Sequence, residues 1–334
     1  MKMPKDSDDT LNDDRVHLHQ DEAVHWSAVQ AALSAQGYAV VRNFLDPADC
    51  DEFRRRYEER ERYRKTIAME RYRFGSGEYK YFSYPLPQLL QKLRESIYQQ
   101  LTGVANEWMS VLGINRRFPA EHAALIAECR SKGQLQPTPL ILRYGAGGYN
   151  TLHQDLYGDI YFPIQGVVLL SEPGVDFSGG EFVMTQQNPR AQSRAMVLNP
   201  RKGDLVLFTT NFRPAKGSHG FHRVHVKHGV SEVHKGERFT LGKIFSRRAD
   251  MTTVYVHRSL DEGQLGRLLR SKRIAVAGNQ RLRIYGTLHC SSGKRMHPKN
   301  RVFFTSAKAA IASGFRPCGH CMPEEYKRWK NETL

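Results

Sequence analysis

The stretch from Pro137 to Phe245 constrains the fold most, because short β-rich runs follow one another there with turn residues between them. The runs are PLILRY, IYFPIQGVVLL, GEFVMT, AMVLN, DLVLFTT, FHRVHV and RFTLGKIF. No pattern with helical spacing separates them, as it would in a doubly wound α/β sheet. The stretch therefore predicts a β-sandwich or a β-barrel.

Helical patterns dominate the chain before this stretch. Asp21–Gln36 and Pro87–Leu112 have apolar residues at helical spacing, and a charged helix is predicted from Asp46 to about Arg64. Arg71–Ser83 alternates aromatic and charged residues around Gly-Ser-Gly, which predicts a β-hairpin. We therefore expect an α+β protein with an N-terminal helical layer on a β core.

Composition limits the class of protein and its partners. The chain has 334 residues, of which 40% are hydrophobic and 25% charged, so global disorder is not expected. No apolar run approaches the ~20 residues that span a bilayer, and the polar N-terminus lacks the apolar segment of a secretory signal. Five cysteines are an odd number and too few for a disulfide scaffold. We expect a cytoplasmic protein without a membrane partner.

The positive charge of the chain is concentrated near its C-terminal end. The formal net charge is +16, and His257–Leu334 holds 16 Lys and Arg against 5 Asp and Glu. A compact basic segment is typical of a protein that binds a polyanion, although a basic surface without a partner has the same composition.

A candidate metal site begins with His153 and Asp155, which follow the run PLILRY and the loop GAGGYNT. A histidine and a carboxylate two residues apart at a strand end can reach one metal ion together. One more imidazole would complete a facial triad, which leaves open positions on a non-haem Fe(II). The pair alone is a weak signal, because a polar surface pair has the same sequence.

His228 is the candidate for the third ligand, because Arg238 follows it by ten residues at the start of a predicted strand. In a double-stranded β-helix this step can place His228 on the metal and Arg238 deeper in the barrel. The planar guanidinium would there bind one carboxylate of a dicarboxylate, and the hydroxyl of Thr240, on the same strand face, can assist. Other histidines compete for the metal: His219, His222, His225 and His234.

Pro137–Phe245 resembles the Fe(II)- and 2-oxoglutarate-dependent dioxygenases. The resemblance implies a double-stranded β-helix, or jelly-roll, core and a reaction that consumes O₂ and 2-oxoglutarate. The iron ligands that it implies are His153, Asp155 and His228. The residues that would bind 2-oxoglutarate are Arg238, Tyr144 and Thr240. Tyr144, in LRYGAGG, matches a position where that family often has a tyrosine facing the cosubstrate.

The resemblance leaves the substrate open. LILRYGAGGYNTLHQD resembles AlkB-type nucleic-acid demethylases, but Phe-Thr-Leu-Gly-Lys follows Arg238 where those proteins have Arg-x-Asn-x-Thr-x-Arg. The ten-residue step from histidine to arginine resembles prolyl hydroxylases instead. The run from Tyr161 to Arg194 resembles a bacterial branch proposed to act on nucleic acid.

A second candidate metal site lies near the C-terminus. Cys318 and Cys321 form a CxxC motif, and Cys290 offers a third thiolate for a tetrahedral zinc. A redox pair is the alternative, but the basic surround and a span too short for a core of its own favour a metal. The candidates for the fourth ligand are His289, which we favour with His320, and His297.

NRVFFTSAKAAIASGFRPCGHC resembles the metal-binding module of Ada-type DNA-repair proteins. In that family four cysteines hold zinc, and one accepts a methyl group from a DNA phosphotriester. Here Lys294 stands at the second cysteine position, so that the site needs a substitute ligand and methyl transfer is doubtful. The resemblance implies a DNA-docking role with these candidate phosphate contacts: Arg295, Lys299, Arg301 and Arg316.

The sequence thus predicts a disordered tail at 1–20, a dioxygenase domain at 21–250, a basic linker helix at 251–281 and an Ada-like metal-binding module at 282–334. The expected function is oxidative modification of nucleic acid, as demethylation of alkylated DNA in repair. One alternative is a side-chain hydroxylase of a nucleic-acid-associated protein. The other is a non-catalytic nucleic-acid-binding protein with a vestigial barrel.

Overall fold

The chain forms two compact units, Met1–Ala249 and Asp250–Leu334. The computed structural model describes residues 24–72, 74–132, 134, 136–155, 160–218, 220–242, 245, 247–248, 254–270 and 274–333. The predicted tail at 1–20 lies outside the described residues. Within them, no helix is both long enough and apolar enough to cross a bilayer.

The first unit combines helices with two large antiparallel sheets and two two-stranded ones. Its α-helices are α1 (Trp26–Gln36), α2 (Pro47–Arg55), α3 (Gln88–Val111) and α4 (His122–Ser131). Its strands are β1 (Tyr38–Val41), β2 (Tyr63–Ala68), β3 (Gly75–Ser76), β4 (Glu78–Phe82), β5 (Gln136–Pro137), β6 (Leu140–Tyr144), β7 (Tyr149–His153), β8 (Ile164–Leu169), β9 (Phe177–Gly179), β10 (Phe182–Gln187), β11 (Ser193–Leu198), β12 (Leu205–Thr209), β13 (Phe212–Gly217), β14 (Gly220–Val230), β15 (Val233–Gly236), β16 (Arg238–Gly242) and β17 (Arg247–Arg248).

The two large sheets of this unit pack face to face. The seven-stranded sheet has the order β1-β12-β8-β16-β6-β4-β2, and the six-stranded sheet has the order β11-β10-β14-β7-β3 with β13 beside β14. The two-stranded sheets pair β9 with β15 and β5 with β17. Side chains from both sheets share one buried cluster, in which Met184 and Val226 of the six-stranded sheet meet Phe208 of the other. This sandwich of antiparallel strands confirms the predicted jelly-roll core.

The helical layer covers the outer face of the seven-stranded sheet. Strand side chains alternate between the two faces, so that Leu205 and Leu207 join the helical cluster while Val206 and Phe208 face the other sheet. The long helix α3 buries apolar residues at three- and four-residue spacing, as an amphipathic helix does. They include Leu90, Leu93, Ile97, Leu101, Val104 and Trp108. The predicted helical layer is thereby confirmed.

Two local predictions were wrong. The charged helix predicted to run to Arg64 ends at Arg55, and single 3₁₀ turns lead from there into β2. The predicted hairpin at 71–83 does not form, because β3 pairs with β7 while β4 pairs with β2 and β6. Gly77 separates β3 and β4 with a φ of 149°, a conformation that favours glycine. The two halves of the apparent hairpin therefore enter different sheets.

The second unit has its own small core. Its strands are β18 (Val254–Val256), β19 (Val276–Asn279), β20 (Ile284–Thr287), β21 (Arg301–Phe304) and β22 (Arg316–Pro317), and they form one sheet in the order β18-β21-β19-β20-β22. Its helices are α5 (Glu262–Arg270), α6 (Ser291–Lys294), α7 (Ala307–Ala312) and α8 (Pro323–Thr333). The segment at 251–281 supplies strands to this sheet as well as a helix.

The core of the second unit differs from the sequence-based expectation that the C-terminal span is too short for one. Val276 comes from β19, and it packs with Tyr285, Val302, Phe304 and Phe315 in one buried cluster. The unit can build this cluster because strands from before residue 282 complete its sheet.

We expect Leu101→Ala to lower the free energy of unfolding of the first unit by about 2–5 kcal/mol, because Leu101 is fully buried in the cluster between α3 and the sheet. Val175→Ala is the control, since Val175 is 82% exposed, and its effect should stay within about 0.5 kcal/mol. Urea denaturation followed by tryptophan fluorescence measures both. Equal stabilities of the two variants would contradict this account of the core.

Candidate active site and candidate zinc site

Strands β7 and β14 bring together three side chains that lie far apart in the sequence. His153 ends β7 and is the register partner of His228 on β14. Partners in an antiparallel pair project from the same face, and the centroids of the two imidazole rings are 4.3 Å apart. Asp155 lies two residues beyond the end of β7. The register of one strand pair therefore assembles the predicted triad.

The polar atoms of the three side chains are spaced as the ligands of one cation would be. His228 Nε2 lies 3.3 Å from Asp155 Oδ2, and His153 Nε2 lies 3.6 Å from Asp155 Oδ1. One ligand atom from each residue lies within 4.8 Å of the others. Asp155 and His228 are only 4% and 5% exposed. Two imidazoles and one carboxylate form the donor set of non-haem Fe(II) sites with open positions.

Neighbouring groups hold the three side chains of the triad in place. Gln165 Nε2 donates to Asp155 Oδ2 over 2.7 Å, and His153 Nδ1 lies 2.8 Å from the Thr151 carbonyl. Because a carbonyl only accepts, that bond fixes the proton on Nδ1 and leaves the Nε2 lone pair for a metal. Gln154 Nε2 donates to the carbonyls of Asn211 and Val226 and so anchors the backbone between the two ligands.

Glycine is required beside His228 on β14. A Cβ at Gly229 would lie 2.5 Å from the Asn150 carbonyl oxygen on β7. The register between β14 and β7 also shifts between His228 and Val230. The backbones of the two strands therefore approach each other too closely for a side chain directly after His228.

The triad lies at a cavity of about 240 Å³ inside the sandwich. Arg238, Thr240 and Tyr144 line the same cavity, and Gln165 lies beside the triad. The remaining wall is mainly apolar and includes Met69, Phe74, Tyr79, Leu140, Leu142, Val167 and Phe182. The structure thus brings all six residues named for the metal and the cosubstrate into one cavity.

Arg238 supplies a buried positive charge to this cavity. The side chain is 2% exposed, and Nη1 donates to Thr240 Oγ1 over 2.6 Å. Its guanidinium carbon lies 5.8 Å from the centroid of the Tyr144 ring on the neighbouring strand. Burial lowers the pKa of Arg238 to about 10, so the group stays protonated at neutral pH.

The environment of Arg238 suits an anionic ligand. No carboxylate among the described residues forms an ion pair with its guanidinium, and Nε has no hydrogen-bond partner among them. A buried charge is costly unless it is paired. A carboxylate that entered the cavity would meet this need, and the guanidinium fork would bind it in bidentate fashion.

The chain is similar to known proteins over this region. Residues 77–248 match a family described as an oxygenase catalysing oxidative methylation of damaged DNA. The chain belongs to this oxygenase family. Two uncharacterized proteins of Mycobacterium tuberculosis are each 40% identical to the oxygenase over 164 residues, which are 49% of this chain and 70% of theirs.

Several solved structures are similar at a greater distance. A prolyl-4-hydroxylase of Pseudomonas putida has 18% identity and a TM-score of 0.43 over 67% of this chain and 99% of that chain. An oxidoreductase of the 2OG-Fe(II) oxygenase family from Burkholderia pseudomallei has 14% identity and a TM-score of 0.40 over 68% and 94%. These likenesses are too distant to carry a substrate or a mechanism.

The side chains of the oxygenase fit Fe(II) and 2-oxoglutarate. The donor set of the triad is that of an Fe(II) site, and the buried guanidinium lacks the carboxylate that 2-oxoglutarate would supply. The other histidines near the triad lie outside this group: His222, His225 and His234. His219 falls outside the described residues.

Gln165 was not predicted from the sequence. It lies on β8, which belongs to the sheet opposite the ligands on β7 and β14, and no motif surrounds it. Gln154, between His153 and Asp155 in the sequence, is a second residue that the motif does not predict, although its two hydrogen bonds to backbone carbonyls anchor this segment. The sequence signal that could have indicated Gln154 is its position between His153 and Asp155.

Three cysteines of the second unit also converge. The Sγ atoms of Cys290, Cys318 and Cys321 lie within 4.8 Å of one another. A Cβ at Gly286 would lie 2.6 Å from Cys321 Sγ, so only glycine leaves room for the cluster. The backbone N–H of Thr287 donates to Cys321 Sγ over 3.4 Å. Three thiolates at this spacing fit a structural zinc.

Residues 269–324 match the metal-binding domain of Ada, which supports a metal at this cluster. Burial raises the pKa of the Cys290 thiol, but hydrogen bonds, foremost from the Gly293 backbone N–H, outweigh it and leave the pKa lowered. A lowered pKa favours the thiolate that zinc binds. His289, named for the fourth position, is not in the group of mutually close ligand atoms. Its role stays a prediction, which the zinc affinity of His289→Ala checks.

We expect Arg238→Ala to weaken 2-oxoglutarate binding by about 2–5 kcal/mol, at least 30-fold in Kd, because a buried carboxylate would lose its bidentate partner. Arg201→Ala is the control, since Arg201 is exposed and does not line the cavity. Isothermal titration of the Fe(II)-loaded protein measures the change. An unaltered Kd in Arg238→Ala would show that the cosubstrate binds elsewhere.

Replacing Cys318 by serine should abolish stoichiometric zinc binding, because only two of the three thiolates would remain to coordinate the ion. Metal analysis of the purified full chain measures the zinc content. Cys129→Ser is the control, since Cys129 is buried in the first unit and lies outside the three-cysteine cluster, and it should keep the zinc content of the parent. Full zinc content in Cys318→Ser would exclude the three-cysteine cluster as the site.

Proposed function

We propose that this oxygenase is an Fe(II)- and 2-oxoglutarate-dependent dioxygenase that demethylates alkylated nucleic acid, with DNA as its substrate, in the cytoplasm. One observation carries the proposal of cofactor use. A single cavity holds a two-histidine, one-carboxylate cluster together with a buried guanidinium that lacks a described carboxylate partner. The description of the family, which names damaged DNA, supports the substrate.

In this proposal each side chain of the cavity has a defined task. The residues that would hold iron are His153, Asp155 and His228, and those that would bind 2-oxoglutarate are Arg238, Thr240 and Tyr144. With 2-oxoglutarate and O₂, the bound iron supplies an oxidant that can hydroxylate an unactivated C–H bond. Gln165 orients the carboxylate of Asp155 through its 2.7 Å hydrogen bond, and the apolar wall of the cavity excludes water from the reacting carbon.

The chemistry of demethylation follows from hydroxylation of an N-methyl carbon. One oxygen atom is inserted into a C–H bond of the methyl group, which gives an N-hydroxymethyl group. The C–N bond then breaks, the carbon leaves as formaldehyde, and the proton of its hydroxyl group returns to the nitrogen. The base is thereby restored without cleavage of its glycosidic bond.

Charge in the second unit supports a nucleic acid as the substrate. Arg295 and Lys299 are exposed and are candidates for contacts with phosphates. Arg301 instead donates to the Lys294 carbonyl over 3.1 Å and also to the Met296 carbonyl, so that its guanidinium mainly holds its own loop. Arg316 lies 5.2 Å from the centroid of the Tyr326 ring.

The test is an assay of formaldehyde and succinate with Fe(II), 2-oxoglutarate and N-methylated oligonucleotides. We expect both products from the parent and background levels from His153→Ala and Asp155→Ala, because each removes one metal ligand. His234→Ala is the matched control, since His234 is exposed and outside the cavity. Succinate formation that depends on peptides and never on nucleic acid would overturn the proposed substrate.

A further inference from the structure

The six-stranded sheet carries an uneven charge. None of its strands contains an Asp or a Glu, whereas they contain Arg194, Arg213, Lys216, Arg223 and Lys227. Two cations of the seven-stranded sheet, Lys80 and Arg143, have acidic partners by contrast. Arg143, for example, contacts both Glu58 and Glu237 over 2.9 Å.

Alternation along β14 divides its side chains between the two faces of the sheet. Val224, Val226 and His228 are buried on the inner face, toward the cavity and the core. The residues between them alternate to the outer face and are exposed: Phe221, Arg223, His225 and Lys227. The basic residues of β14 and the ligand His228 therefore lie on opposite faces of one strand.

The outer face extends across neighbouring strands. Lys227 is the register partner of Thr185 on β10, and Thr185 is the partner of Ala195 on β11. Val197, two residues further, lies on the same face and is 55% exposed. On the other side Lys216 of β13 pairs with Phe221. The face thus combines exposed apolar side chains with cations.

The cations on this face lack acidic partners within the described part of the chain. No described carboxylate lies within 4 Å of Lys216, Arg223 or Lys227. Arg223 instead lies 5.1 Å from the centroid of the Phe212 ring. Unpaired cations with no acidic side chain on the same strands create a positive potential that suits a polyanion.

Exposed aromatic and apolar side chains accompany these cations. Phe221 is 50% exposed on β14, and Leu152 is 45% exposed on β7, where it alternates with the ligand His153. Aromatic side chains beside cations are typical of surfaces that bind single strands, because each base can stack while the phosphates meet Lys and Arg. A duplex hides its bases and gains nothing from this apolar surface.

The face leads toward the mouth of the cavity. Beyond β7 the edge strand β3 follows, and Phe74, directly before β3, both lines the cavity and is 48% exposed. The Phe74 carbonyl accepts hydrogen bonds from Thr151 N over 2.9 Å and from Thr151 Oγ1 over 2.8 Å. These bonds fix Phe74 at the rim between the outer face of the sheet and the triad.

We propose that the outer face of the six-stranded sheet is a docking surface for single-stranded nucleic acid. Arg223 and Lys227 contact phosphates, Phe221 stacks on a base, and the strand continues past Leu152 and Phe74 to the cavity. This inference rests on the proposed function, since it names the surface that delivers the substrate to the same site.

The experiment compares two double variants of the full chain that lose the same charge. One is Arg223→Gln with Lys227→Gln, and the control is Lys65→Gln with Arg117→Gln, two exposed residues away from this sheet. A fluorescent single-stranded oligonucleotide reports Kd by anisotropy at several salt concentrations. Thermal unfolding verifies that both variants are folded.

We expect the sheet variant to raise Kd about tenfold at 0.15 M salt and to lower the slope of log Kd against log salt by about 1.4, because two phosphate contacts are lost. The control should match the parent in both. Phe221→Ala should raise Kd about fivefold or more for the single strand and leave duplex binding unchanged.

The outcomes separate this inference from the proposed function. If the parent releases formaldehyde from methylated oligonucleotides and the sheet variant binds them as the parent does, the docking surface is wrong and the proposed function stands. If the parent releases no formaldehyde from any nucleic acid, the proposed function fails and the delivery role falls with it. If both double variants lose the same affinity for the oligonucleotide, the loss reflects the lower net charge and not the position of the residues. That result would also overturn the inference.

Discussion

The pairing of β14 with β7 is the constraint on which the active site depends. His153 and His228 converge because their strands are in one register, and Asp155 follows at the end of β7. Side chains alternate along a strand, so a slip of one residue would turn His153 to the outer face and replace it with Leu152 or Gln154. The hydrogen bonds that the Gln154 side chain donates to the carbonyls of Asn211 and Val226 oppose such a slip.

A second constraint is the treatment of positive charge in the first unit. Arg238 is buried beside the triad. Desolvation there destabilises its charge, and an incoming carboxylate would stabilise it. Arg223 and Lys227 are exposed on the outer face of the six-stranded sheet, where hydration stabilises their charge and salt screens it beyond about 10 Å at 0.1 M ionic strength. Positively charged side chains of the first unit are therefore found both buried beside the triad and exposed to solvent on the outer face of the six-stranded sheet.

The sequence predicts best what is local to a motif. The step from His228 to Arg238 spans only ten residues, so a short connection carries the chain from β14 to β16 in the opposite sheet, and both side chains line one cavity. Gln165 could not be found in this way, because it reaches Asp155 across the sandwich and only tertiary structure brings the two together. Contacts that depend on how two sheets face each other leave no periodic signal in either strand.

Two of the wrong predictions, the hairpin at 71–83 and the missing core of the second unit, have a common origin. The aromatic pattern at 71–83 is that of a hairpin, but Gly77 redirects the chain between two sheets. The sequence does not predict the core of the second unit, because Val276 precedes the module predicted at 282–334. That span alone lacks some of the strands of the sheet. In both cases the local composition was interpreted correctly and the pairing partner was not, since partners are chosen by the whole fold.

The close approach of β14 to β7 at Gly229 has a consequence for how this site tolerates change. A side chain there would have to displace the backbone at Asn150, in the strand that ends in His153. In a library that samples every amino acid along β14, position 229 should therefore be as intolerant as the ligand beside it, although glycine contributes no chemistry of its own. Loss of activity on substitution of Gly229 would reflect a displaced strand. Intolerance to substitution alone would therefore not distinguish Gly229 from His228.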